Sequence, residues 1–308
     1  MDQNSSIAMD SSKLFSIILV LREAIYLPTK NKKLILSSIF LCLFPNSLLL
    51  MSNYISIYPL LLNFLMKLYL ITKEYPTTPQ FFDAIIGLRN AAEGFVKVQV
   101  FFVIFSYIVS TISMMMIVHS SLLVYSGKQS TLNDVYLRLK STWVPVFITC
   151  MYSSMLYIGY TVLSICLIAV PMLGANGSIV SIVIGGLFAM LGRLLSVYLA
   201  MIWMVGVVVS VAEESCFGLE ALWRGGEIVK GRRLQGFLIA LMLLLADGMF
   251  TGGYGFVGAK NATGFILVNV LVLMKMFSYM VYTVFYCECR KEVSYTRVVV
   301  GHNEELLP

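Results

Sequence analysis

The chain of 308 residues is 59% hydrophobic and only 12% charged, with a mean hydropathy of +0.86, and this composition excludes an ordinary soluble protein of two domains. Its 22 basic and 16 acidic residues leave a net charge of +6, but the cations cluster beside apolar segments and form no basic face interleaved with aromatics, which argues against nucleic acid as a partner. Six cysteines, at positions 42, 150, 166, 216, 287 and 289, form no CxxC pair. They read as small core hydrophobes and not as a disulfide framework or a metal site.

The N-terminal segment 1–33 is cytosolic in this reading. Its apolar run 14–21 is like the core of a signal peptide, yet it passes directly into Arg22 and Glu23 with no small-residue cleavage pattern. Leu14, Ile18, Leu21 and Ile25 fall on one helical stripe, so the segment is expected to lie as an amphipathic helix at the interface and to enter the first span after Pro28 and Lys30.

A six-span helical bundle then occupies 34–287, with spans at about 34–52, 98–125, 143–170, 179–206, 237–255 and 265–287, each able to cross about 30 Å of hydrocarbon. The fold class expected is all-α. The stretch 54–71 is apolar enough for a further span but carries Pro59, Asn63 and Lys67. Positive-inside counting decides against it. Six spans with both termini inside place 15 basic residues in cytosolic segments and five outside, whereas a crossing at 54–71 would leave nine against ten. Thr78 before Pro79 then reads as a helix N-cap, with Phe81, Ile85, Leu88 and Ala92 as the apolar stripe of a short outer-face helix. The segment 288–308 is a cytosolic tail.

Asn176 and Asn261 head sequons in loops that this topology places outside, so both are candidate glycosylation sites. The run Gly253 to Gly258 has the form GxGxxG, but it follows a span and not a strand. It reads as a glycine-rich turn that lets two helices approach closely. Two histidines, and no HExxH, GxSxG or Walker sequence, leave no named catalytic motif. No enzyme activity, cofactor or metal is expected.

Three charges lie inside the apolar spans: Arg193, Asp247 and Lys275. Each costs about 2.5–3.5 kcal/mol at the bilayer centre on insertion scales, which makes them candidate functional residues. Asp247 lies about 15 Å, and Lys275 about 18 Å, from the inner ends of their spans. The two are expected to pair near the midplane, with Asn269 adding a polar group nearby. The segment between spans four and five, with Glu213, Glu214, Trp223, Arg224, Lys230, Arg232 and Arg233, reads as a second interfacial element. Phe217, Leu219, Leu222 and Trp223 are expected to face lipid and the arginines and lysine to face anionic headgroups. Cys287 and Cys289, beside Arg290 and Lys291 at the end of span six, are candidate acylation sites.

The run Val208-Val209-Ser210-Val211-Ala212-Glu213-Glu214 with Gly218, Ala221 and Lys230-Gly231-Arg232 resembles the cytosolic signature of a plant family of six-span membrane proteins of unknown function. That family has a remoter likeness to the membrane domain associated with bacterial glycerophosphodiester phosphodiesterases. Leu21-Arg22-Glu23-Ala24-Ile25 with Pro28, Lys30 and Asn31, and Tyr286-Cys287-Glu288-Cys289-Arg290-Lys291, are similar too. The resemblance implies a plant integral membrane protein and carries no catalytic residues. The function expected is a non-catalytic endomembrane organiser or scaffold that binds membrane lipids or other membrane proteins, in the endoplasmic reticulum, Golgi or plasma membrane. The alternative is a transporter of a small solute or lipid that uses Asp247, Lys275 and Arg193.

Overall fold

A computed structural model describes residues 2–73, 79–128, 130–174, 179–213, 215–257 and 262–304. The described residues form eight α-helices: α1 (Asp2–Lys30), α2 (Lys32–Lys73), α3 (Pro79–Tyr125), α4 (Leu132–Gly174), α5 (Ile179–Ala212), α6 (Leu219–Ile228), α7 (Arg233–Val257) and α8 (Ala262–Glu304). A single 3-10 turn, Val229–Gly231, joins α6 to α7. Six helices, all except α1 and α6, are long and apolar enough to cross a membrane. Their outer surfaces carry large exposed hydrophobes such as Phe40, Phe44, Phe101, Leu163 and Leu187. Water would penalise that surface, whereas hydrocarbon does not.

The helices outrun the spans drawn from the sequence. At 42, 47, 43 and 43 residues, α2, α3, α4 and α8 reach about 63–70 Å, twice the thickness of the hydrocarbon core. The stretch 54–71 belongs to α2, which runs unbroken through Pro45 and Pro59. The expected short helix after Pro79 is the first part of α3 and not a separate element. An apolar run gives the backbone nothing but itself to bond to, so helix continues wherever no turn supplies other partners. Pro79 opens α3, and Thr78 lies outside the described residues.

Where turns do occur, their chemistry is explicit. Asn31 interrupts α1 and α2 and accepts the Leu34 N–H on its side chain at 3.2 Å, capping α2. At the end of α3 the Lys128 N–H reaches the Leu123 carbonyl at 3.2 Å over Gly127, whose φ of 70° is one that glycine adopts freely. Six residues past Lys128, Asp134 accepts both the backbone N–H and the hydroxyl of Thr131, at 2.7 and 3.0 Å, and fixes the start of α4.

The chain divides into two compact units, and α2, α3, α7 and α8 each contribute to both. The first unit comprises 1–38, 114–248 and 276–308. Its core includes Met115, Val118, Val135, Val146, Met201, Val205, Phe285 and Tyr286, all at 1% exposure or less. Here α4, α5 and α6 pack together. Glycines set the closest approach: a Cβ on Gly225 would lie 2.6 Å from the Gly206 nitrogen, and one on Gly206 would lie 2.7 Å from the Leu222 Cα. α6 therefore lies directly on the backbone of α5. Leu222, expected to face lipid, is buried in that contact. On α7, a Cβ on Gly248 or Gly252 would meet open space and one on Gly253 only ordinary contact with Leu267, so none of these three glycines sets a close approach.

The second unit comprises 39–113 and 249–275. Asn46 and Ser47 of α2 make side-chain contacts within it. The Asn46 amide donates to the Ser113 hydroxyl and the Cys42 carbonyl, both at 2.7 Å. The Ser47 hydroxyl donates to the Asn269 side chain at 3.0 Å.

Candidate functional site

The charged chemistry of the first unit gathers where the loop after α5, helix α6 and the C-terminal half of α8 meet. Glu213, just past the end of α5, is the hub. Its side chain is only 12% exposed and accepts from Arg224 Nε at 2.8 Å, with an Arg290 Nη at 3.9 Å. The hydroxyl of the buried Tyr286 donates to Glu213 at 3.1 Å and in turn accepts from Arg290 at 3.1 Å. A nearly buried carboxylate is tolerated only when its lone pairs are matched in this way. Beside the hub lies a cavity of about 410 Å³, walled by Glu220, Trp223, Glu227 and Val293 as well as Glu213, Arg224 and Arg290.

A second chain of contacts runs along α8. Tyr125, the last residue of α3, donates to Glu288, and Lys291 reaches both Tyr125 at 2.6 Å and Glu288 at 3.2 Å. The Lys291 and Lys30 ammonium groups lie 4.6 and 5.8 Å from the centre of the Tyr125 ring. Arg232 pairs with Glu292. Lys30 pairs with Glu23 across two turns of α1, at 2.7 Å. α1 buries Ile17, Val20, Ala24 and Leu27 and leaves Ile18, Ile25 and Tyr26 exposed.

The connection from α5 to α6 is fastened to α4. Gly218 has φ 65° and sends its buried N–H to the Thr149 hydroxyl at 2.8 Å. Thr149 donates in turn to the Pro145 carbonyl at 3.0 Å. Cys216 in this loop is 3% exposed. Burial, reinforced by Glu220 and opposed by Arg224, pushes its thiol up from the ordinary value, so it is an inert core group.

Of the residues singled out from the sequence, the arrangement brings together Glu213 and Arg224 directly. Arg232 joins the neighbouring α8 contacts. Trp223 is 74% exposed, Lys230 and Arg233 are exposed, and Glu214 lies outside the described residues. Arg193 on α5 and Asp247 on α7, in the first unit, are exposed. Lys275 on α8, in the second unit, is also exposed, and Asn269 is half-buried against Ser47. Asn176 and Asn261 lie outside the described residues. Cys287 is half-buried, whereas Cys289 is 2% exposed. The GxGxxG run begins inside helix α7, so its first residues form no phosphate-binding turn.

Sequence reasoning missed the hub. Glu213 and Tyr286 stood in two of the quoted runs, but nothing in either run signals that they meet. It also missed Thr149 as the anchor of Gly218, and the buried pair of His119 with Thr142 at 2.9 Å.

No curated protein and no solved structure matches the chain. The model of the domain of unknown function DUF8558 matches residues 5–298, and over that extent the chain, whose described residues include six helices long and apolar enough to cross a membrane, belongs to the DUF8558 family.

Proposed function

We propose that the protein is a non-catalytic organiser of endomembranes, acting through the interfacial helices α1 and α6 and binding lipid or other membrane proteins. One observation carries this reading: each of these helices is docked on the first unit by one face and keeps a second apolar face uncovered. On α1 the docked face is Ile17, Val20, Ala24 and Leu27 and the open face is Ile18, Ile25 and Tyr26. On α6, Ala221, Leu222 and Gly225 are buried while Leu219 and Trp223 are exposed, with Phe217 exposed just before them. Open apolar faces that hold Trp and Tyr beside Arg22, Arg224, Lys230 and Arg233 suit the boundary between acyl chains and anionic headgroups. Because both helices are fixed to the unit, whatever they do to the lipid is transmitted to the spans.

The uneven distribution of basic residues supports cytosolic termini. The resemblance of the Glu213 and Tyr286 segments to a plant six-span family supports a plant integral membrane protein, and a membrane of the secretory pathway is part of the same proposal. Transport through the spans is the second reading, favoured by three charged side chains on apolar helices. Arg193 and Asp247 do not line the cavity beside Glu213, so no observation ties these charges to that space.

The test is immersion of α6. A variant retaining Trp223 alone (Trp143→Phe, Trp203→Phe), reconstituted in vesicles with lipids brominated at defined depths, should be quenched from the shallow positions. Adding Trp223→Glu and Ile18→Glu to the native chain should remove any change in vesicle shape that the protein causes at high density. Quenching of Trp223 by iodide alone would overturn the reading. Solute uptake by vesicles that is lost in Asp247→Asn would favour transport.

A further inference from the structure

A cavity of about 640 Å³ lies between α1, Arg232 just before α7, and α8 in the first unit, within the range of about 300–1000 Å³ typical of small-molecule sites. Its polar wall carries three cations, Arg22, Lys30 and Arg232, and two carboxylates, Glu23 and Glu288. The rest of the wall includes the apolar side chains of Leu19, Val20 and Val284. We propose that this cavity holds the headgroup of an amine-bearing glycerophospholipid, with the phosphodiester among the three cations, the ammonium toward Glu23 and Glu288, and the start of the acyl region against Leu19, Val20 and Val284.

Charge and pairing support this placement. With the partners of the wall groups counted, four cations (Arg22, Lys30, Arg232 and Lys291) face three carboxylates (Glu23, Glu288 and Glu292), and a phosphodiester neutralises the one positive charge left over. Among the described residues Arg22 makes no ion pair, and its guanidinium lies 5.5 Å from the centre of the Tyr26 ring. Its fork of donors is therefore available for bidentate contact with phosphate oxygens.

The Lys30 and Glu23 pair is solvent-exposed on both sides, and pairs of that kind contribute little and exchange readily. A zwitterionic headgroup gives each partner a new counter-ion at once: phosphate for Lys30 and ammonium for Glu23. The same wall would leave a quaternary ammonium without hydrogen bonds, since it has no N–H to donate. The open apolar face of α1, with Ile18 and Ile25, adjoins Leu19 and supplies a surface for the chains. The inference rests on the reading of this end of the unit as the interfacial one.

The experiment uses the full chain in phosphatidylcholine nanodiscs with phosphatidylethanolamine as the minor lipid, followed by release into detergent and native mass spectrometry of the retained lipid. Wild type should retain phosphatidylethanolamine about tenfold over phosphatidylcholine. Arg22→Ala should lower that retention about tenfold, and Arg22→Lys by less. Glu23→Gln should narrow the preference between the two lipids without abolishing retention. Arg22 is exposed, so Arg22→Ala should elute as wild type on size exclusion. Equal retention of the two lipids by wild type, or undiminished retention by Arg22→Ala, would overturn the proposal. Displacement by soluble glycerophosphoethanolamine at potency equal to the lipid would overturn the lipid as the source. Loss of shallow Trp223 quenching with lipid retention intact would remove the interfacial reading of α6 alone, and the reverse result would remove only the cavity assignment.

Discussion

Two adjacent glycines of α6 should respond in opposite directions to the same substitution. A Cβ at Gly225 would sit 2.6 Å from the Gly206 nitrogen and 2.7 Å from its Cα, against about 3.5–4.0 Å for comfortable contact. The obstructing atoms are backbone on a long helix, so no side chain can rotate away, and α6 must lift from α5 by about 1 Å. Overpacking of this kind costs about 1–3 kcal/mol. The gain from alanine over glycine within a helix, about 0.5–1 kcal/mol, offsets part of it. At Gly226 the nearest atom is Ile202 Cγ2 at 3.6 Å, an ordinary contact, and only the gain remains. Gly225→Ala should therefore be less stable than Gly226→Ala by about 1–3 kcal/mol. Gly206→Ala should resemble Gly225→Ala, because its Cβ would meet the Leu222 Cα at 2.7 Å. The double variant should cost less than the sum, since one separation of the helices serves both. Unfolding titrations of purified protein in mixed micelles, read by tryptophan fluorescence, measure these differences. A Gly225→Ala protein as stable as Gly226→Ala would refute the backbone contact between α5 and α6.

Thr149→Val leaves the buried Gly218 N–H without its acceptor and should cost about 1–3 kcal/mol, while Thr149→Ser should stay near wild type; equal unfolding midpoints for Val and Ser would show that the bond is unimportant. Glu213→Ala leaves Tyr286 and Arg224 unmatched and should destabilise by about 1–3 kcal/mol, whereas Lys97→Ala, which breaks an exposed pair with Glu93, should fall within about 0.5 kcal/mol of wild type; similar losses in the same titration would contradict the role of burial. If the juxtamembrane thiols are acylated, the label in an acyl-exchange assay should vanish in Cys287→Ser and persist in Cys289→Ser, because Cys289 is closed to an enzyme; the opposite pattern would overturn that assignment. Tags at both termini should be digested together by protease added to the cytosolic side of sealed membranes, and opposite accessibility would require an odd number of crossings.

The existence of six apolar helices was legible in the sequence because helical hydrogen bonds close within a segment and hydropathy is a local sum. Proline and glycine were the weaker guides: Pro59 counted against the stretch 54–71 yet lies inside α2, and Gly248, Gly252 and Gly253 of α7 meet open space or ordinary contact. The residues of the candidate site were partly visible, since Glu213, Arg224 and Arg232 stood out as charges beside apolar runs. Their partners were not. Glu213 meets Tyr286 across 73 residues and Gly218 meets Thr149 across 69, and each meeting depends on how two helices are rotated and how closely they cross. A periodic pattern shows which face of a helix is apolar. It does not show which neighbour that face will meet, and on α1 and α6 apolar side chains stand on both faces. Only packing decided that Ile17 and Leu222 would be buried while Ile18 and Trp223 stayed open, because burial is a property of the pair of surfaces and not of either one.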